Sequence, residues 1–217
     1  MSPQLSRRLQ TFSDWVSKHV EQPARVLEIG CGRGELALAL ADRGYDVTAI
    51  DPDAPAGPIF RRVRLEEFSA DDPYDAVVAS VSLHHVEALE VAFERLVALL
   101  RPGGTVVVEE FAKDRFCGPT ARWYFHQRQA LQTIGLDDRP LPVDFSAWFE
   151  LWGHEHAEIH SSDELLAQLA DHFAERVLVW GPYLYDYWLH GALEPLEREL
   201  IATGSIEPTG FRYVGQA

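Results

Sequence analysis

Three sets of side chains in this 217-residue sequence have types and spacings suited to chemistry. The first is Glu28, the loop Gly30-Cys31-Gly32-Arg33-Gly34, and Asp51 further on. Closely spaced glycines opening a helix bring backbone N–H groups up to a ligand, and a carboxylate that ends the next strand accepts both hydroxyls of a ribose. The spacing is Gly-x-Gly-x-Gly and not the Gly-x-Gly-x-x-Gly of a dinucleotide binder, so it suits an adenosine ligand without a pyrophosphate. The second set is imidazole: His84-His85, and His154, His156 and His160 in one short run. An alcohol acceptor needs a general base of near-neutral pKa, which histidine supplies. His156 and His160 share a face if their segment is helical, a spacing compatible with a metal pair. The run brings no cysteine or second cluster, and no metal is expected. The third set is aromatic: Trp123, Tyr124, Trp148, Trp152 and Tyr183 suit either a pocket for a flat acceptor, with His160 beside it, or the core of a small lid.

The elements that must position these groups follow from periodicity. Residues 5–20 repeat apolar side chains at spacings of three and four, an amphipathic helix. Arg25 to Gly30 is a short buried strand, Glu35 to Arg43 a helix stopped by Gly44, and Asp46 to Asp51 a second strand. Three prolines between Pro52 and Pro58 argue against a helix before a third strand, Phe60 to Leu65. Tyr74 to Ser80 is a fourth strand, Glu87 to Leu100 a helix, and Thr105 to Phe111 a fifth strand. Glu109 and Glu110 end it, and only one of them can face the crevice, because side chains alternate along a strand. The pattern loosens over 112–160. A helix from Asp163 to Phe173, capped by Ser161 or Ser162, then a strand (Arg176 to Trp180), helical material from about Tyr183 to Thr203 and an edge strand (Phe211 to Val214) complete the chain. The fold class is α/β: a doubly wound, mostly parallel seven-stranded sheet with an aromatic lid inserted after the fifth strand. One domain, 1–217, is expected, with the N-terminal helix at 5–20, a cofactor-binding core at 24–111, the lid at 112–160 and completion of the sheet at 161–217.

Val26-Leu27-Glu28-Ile29-Gly30-Cys31-Gly32-Arg33-Gly34, the distal Asp51, Tyr74-Asp75-Ala76-Val77-Val78, Leu83-His84-His85 and Leu100-Arg101-Pro102-Gly103-Gly104-Thr105 together resemble the ordered motifs of the class I S-adenosylmethionine-dependent methyltransferases. The resemblance implies S-adenosyl-L-methionine as cofactor. It further implies that Gly30, Cys31 and Gly32 approach the methionine half through their backbones, that Glu28 organises the loop, and that Asp51, followed by Pro52, takes the ribose. Ser80 and Val81 would lie beneath the sulfonium. Adenine contacts fall to Leu65 and Glu66, although Arg64 stands where the family usually has an acid. The expected activity is methyl transfer to an O or N atom of a small-molecule acceptor, with His84, His85, His154 and His156 as candidate bases. A nicotinamide-dependent oxidoreductase on a related fold and a non-catalytic cofactor-binding protein are the alternatives.

Composition narrows the partners. With 34 acidic and 19 Lys/Arg residues the chain carries a formal charge of −15, which disfavours nucleic acid and anionic membrane surfaces. Cys31 and Cys117 do not make a disulfide framework, and no apolar run is long enough to span a membrane, so a cytoplasmic location is expected. Of 24 aromatic residues, 16 lie from Phe116 onward, as do six of the nine His. An aliphatic first half and an aromatic, His-rich second half therefore point to separate tasks.

Overall fold

Ser6 starts the first helix by accepting the Leu9 N–H on its hydroxyl at 3.3 Å, and Phe12 and Val16 bury the inner face of α1 (Arg7–His19). The computed structural model describes residues 6–187 and 189–217, with Tyr187 by its backbone alone. Leu5, expected in this helix, lies outside the described residues.

A βαβ unit follows, made of β1 (Arg25–Ile29), α2 (Glu35–Asp42) and β2 (Asp46–Asp51). No helix joins β2 to β3 (Phe60–Arg62), as the prolines require. β3 is shorter than expected because Leu65–Glu67 turns into a single 3₁₀ turn. β4 (Tyr74–Ser80), α3 (Leu89–Leu99) and β5 (Leu100–Phe111) complete the first half. β5 starts five residues before the expected Thr105, since Leu100 already pairs with Tyr74 before the register shifts at the glycines.

α4 (Gly118–Thr133) and α5 (Phe145–Glu155) form the segment after β5. α6 (Ser162–His172) opens with a capping box in which Ser161 and Glu164 exchange hydrogen bonds. β6 (Ala174–Gly181), the short α7 (Leu184–Tyr187), α8 (Glu194–Ala202) and β7 (Gly210–Gln216) end the chain.

The strands lie in the order β3-β2-β1-β4-β5-β7-β6. β1 to β5 run parallel, and β7 pairs antiparallel with both β5 and β6. The expected edge strand is therefore an interior one, and β6 is the edge. The reason is burial: Phe211 and Tyr213 pack into the core on one face of the sheet and Val214 into the core on the other, which an edge position would not allow. α3 and α6 cover the first face, and α1 and α2 the second.

The order reverses at β1 and β4, so their connections leave in opposite directions and open a crevice at the carboxyl ends. A third apolar cluster covers that end: Phe116, Tyr124, Phe125, Trp148 and Trp152 from the 112–160 segment, with Tyr183 and Leu184 from the β6–β7 connection. The lid core thus reaches beyond residue 160, the boundary expected from the sequence.

Candidate active site

The crevice holds a cavity of about 350 Å³ floored by Gly30 and Gly32. Gly30 has φ +69°, and a Cβ there would stand 2.2 Å from that of Ser82, so only glycine allows the first loop to lie against the β4 end. Open space adjoins Gly32, whose N–H donates to Asp51 Oδ2 at 3.0 Å. Asp51 Oδ1 accepts the Asp53 N–H at 2.7 Å. Each carboxylate oxygen keeps acceptor capacity on the cavity wall, as a vicinal diol requires. Leu65, Ile50 and Val63 give apolar surface for a planar base, and Arg64 reaches Glu87 at 3.5 Å. This donor set and cradle fit S-adenosyl-L-methionine.

Beneath the loop, Glu28 is buried and its Oε2 lacks a partner among the described residues. Burial pushes its carboxyl up to about 8, against an opposing hydrogen bond from the Ala37 backbone. Burial, with the charges of Glu28 and Asp51, pushes the Cys31 thiol up to about 12, so this cysteine is a small loop residue and not a nucleophile. Val81 follows β4 at φ +56°, a strained conformation for a β-branched side chain, and lines the cavity beside Ser82.

A second cavity of about 110 Å³ lies under the lid, walled by His84, His85, His156, Phe111, Trp152 and Tyr183 among others. His85 lines both cavities. His84 packs against it, ring centroids 4.1 Å apart, and is fixed by Glu110, whose Oε2 lies 2.5 Å from His84 Nδ1. Glu110 Oε1 accepts the Ser82 and Leu83 N–H groups at 2.9 and 2.7 Å, so the carboxylate is an acceptor and His84 carries its proton on Nδ1. Of the two glutamates ending β5, Glu110 is the one on the imidazole side. Glu109 binds Arg8 and Arg212.

Burial, then the neighbouring His84, hold His85 below the ordinary histidine range, and burial does the same to His156. His156 Nδ1 lies 2.8 Å from the Trp152 carbonyl, to which it donates, and its ring stacks on that indole at 4.4 Å. Lys113 donates to the carbonyls of His156, Ala157 and Ile159 and so holds the end of α5 in place.

Of the cofactor residues expected from the sequence, Gly30, Gly32, Asp51, Pro52, Leu65, Glu66 and Val81 line the crevice. Glu28 and Cys31 lie buried behind the wall, and Ser80 turns its hydroxyl to Arg8. Of the acceptor residues, Trp152 and Tyr183 line the lid cavity, whereas Tyr124 and Trp148 stack on each other inside the lid and Trp123 packs against that cluster. His160 is turned from the cavity, its Nε2 2.9 Å from the Val86 carbonyl. His154 is exposed on α5. The helix ends at Glu155, so His156 and His160 do not share a helical face, and among the described residues no group of three His, Cys, Asp or Glu is placed to hold a metal. Sequence reasoning missed Ser82, Phe111, Phe116 and Ile159 as wall residues, and the Glu110–His84 pair. The alternation of Glu109 and Glu110 was the only signal for that pair.

A seven-stranded sheet in this order, with helices on both faces and a glycine-floored crevice at the switch point, is the architecture of the class I methyltransferases. The model of a methyltransferase domain family matches residues 1–177, and the chain belongs to that family. An uncharacterized methyltransferase of Mycobacterium tuberculosis is 41% identical over 98 residues, 40% of this chain and 50% of that one. The chain thus spans about half the length of that curated relative. A ubiquinone biosynthesis O-methyltransferase of Xylella fastidiosa is 33% identical over 169 residues, covering 69% of this chain and 67% of the relative. In structure, the 1,6-didemethyltoxoflavin-N1-methyltransferase of Burkholderia thailandensis, solved with 1,6-didemethyltoxoflavin and S-adenosylhomocysteine, superposes with a TM-score of 0.58 at 18% identity, over 97% of this chain and 78% of that one. Family membership sets aside the nicotinamide alternative.

Proposed function

We propose that the protein transfers the methyl group of S-adenosyl-L-methionine to an oxygen or nitrogen of a small-molecule acceptor held under the lid. The observation that carries this reading is the position of His85 on the walls of both cavities, where a cofactor bound over Gly30 and Gly32 and an acceptor beside Trp152 would meet. When bound, the cofactor supplies an electrophilic methyl: the acceptor lone pair bonds to it as the carbon–sulfur bond breaks, its electrons staying on the thioether of S-adenosylhomocysteine. Asp51 would hold the ribose, Leu65 and Glu66 the base, and the loop backbone the amino-acid end. His85, uncharged at neutral pH, would accept the acceptor's proton, and His84, fixed by Glu110, keeps its ring in place. The lid excludes water from the joint site.

The ubiquinone biosynthesis O-methyltransferase, similar over about two thirds of both chains, supports a heteroatom acceptor; the N1-methyltransferase shares the fold alone. No described helix is long and apolar enough to cross a membrane. The unpaired thiols of Cys31 and Cys117 support a reducing, cytoplasmic compartment. Incubation of the purified chain with methyl-labelled cofactor and a small-metabolite extract is expected to label an extractable small molecule. Label found only on macromolecules would contradict the reading.

A further inference from the structure

The lid cavity restricts what can occupy it. At about 110 Å³, against the ~150 Å³ of an apolar cavity that takes a benzene, it has room for one small ring at most. Its walls are flat and apolar: Phe111 stacks on Tyr183 at 5.1 Å, and Phe116 lies 4.6 Å from Trp152. The polar side is three imidazoles; the exposed Glu155 also borders the cavity, and no described Lys or Arg does. Lys113, just past β5, turns its ammonium to the backbone carbonyls of His156, Ala157 and Ile159. Arg8 and Arg212 are held by Glu109, on the strand face opposite Glu110. Burial keeps His85 and His156 uncharged near neutral pH, so these two imidazoles add no positive charge, and the Nδ1 side of His84 is already taken by Glu110. An anionic group placed here would lose hydration and meet no Lys or Arg among the described lining residues.

We propose that the acceptor's buried end is a single uncharged aromatic or heteroaromatic ring bearing the O–H or N–H to be methylated, and that this cavity rejects the same ring when it carries a carboxylate. The inference rests on the methyltransferase reading above. In the transfer, the ring oxygen or nitrogen gains the methyl carbon and its proton passes to an imidazole, so the neutral ring leaves as a neutral methyl ether or N-methyl ring.

The test uses the full chain and two matched pairs of probes: catechol with 3,4-dihydroxybenzoate, and pyrazole with pyrazole-4-carboxylate. Ligand-observed NMR in the presence of S-adenosylhomocysteine reads binding, and transfer of labelled methyl reads turnover. The neutral member of each pair is expected to bind and to exceed its carboxylate in kcat/KM by at least tenfold. Glu155→Lys, on the exposed end of α5, is expected to narrow that ratio by raising the carboxylate member. Equal or better use of the carboxylates overturns the proposal, as does failure of both neutral rings to bind. A separate titration with S-adenosylhomocysteine alone keeps the two levels apart: its failure to bind would overturn the methyltransferase reading itself.

Discussion

Burial beside two other imidazoles leaves His85 and His156 uncharged where an ordinary histidine is already partly protonated, and this sets the expected pH dependence. A base works in its neutral form, so activity is lost as pH falls through its pKa; a lowered pKa moves that loss below about 6.5. The kcat/KM profile should be flat from about pH 7 to 8 and fall only on the acid side. His85→Ala should cost on the order of 10²–10⁴ in kcat/KM and remove that acid limb, while S-adenosylhomocysteine binding stays within a few-fold. Retention of the limb in the variant would assign the base elsewhere.

Glu28 sits behind the same wall, with a carboxyl raised to about 8 from 4.5. Between those values the folded chain holds a proton that the unfolded chain has released. Its contribution is therefore complete below pH 4.5 and is lost as pH rises toward 8. Glu28→Gln removes this slope. Urea unfolding at pH 5.5 and 8 should show the parent losing on the order of a few kcal/mol more than the variant across the interval. Parallel losses would contradict the assignment.

At the scale of elements, Glu197 of α8 does for the lid what Glu110 does for His84. Its buried carboxylate accepts the N–H groups of Tyr183, Leu184 and Tyr185 at 2.9, 3.0 and 2.8 Å and thereby sets the start of α7 and the cavity wall at Tyr183. Glu197→Gln places an NH₂ where an acceptor is needed and should destabilise the fold by roughly 1–3 kcal/mol. It should also raise acceptor KM with little change in cofactor affinity, which a defect of global stability alone would not do.

Much of the cofactor half was legible because its signals are local: a glycine loop between a buried strand and a helix, prolines forbidding a helix after Asp51, and an acid ending the second strand. The Glu110–His84 contact joins residues 26 apart and depends on which face of β5 the sheet buries. The interior place of β7 and the entry of Tyr183 into the lid depend on contacts across about a hundred and about seventy residues, which no local pattern encodes.

For the whole molecule, a family-defining sheet opens the crevice proposed for the cofactor, and two separate insertions, after β5 and after β6, share one aromatic core above it. The central claim is that this crevice is an adenosyl site organised by Asp51 and the glycine loop. Isothermal titration of the purified chain with S-adenosylhomocysteine tests it most directly. The account predicts one site with Kd on the order of micromolar, about −8 kcal/mol, and at least a tenfold loss in Asp51→Ala. No heat of binding from the folded parent chain, or equal affinity in the variant, would contradict it.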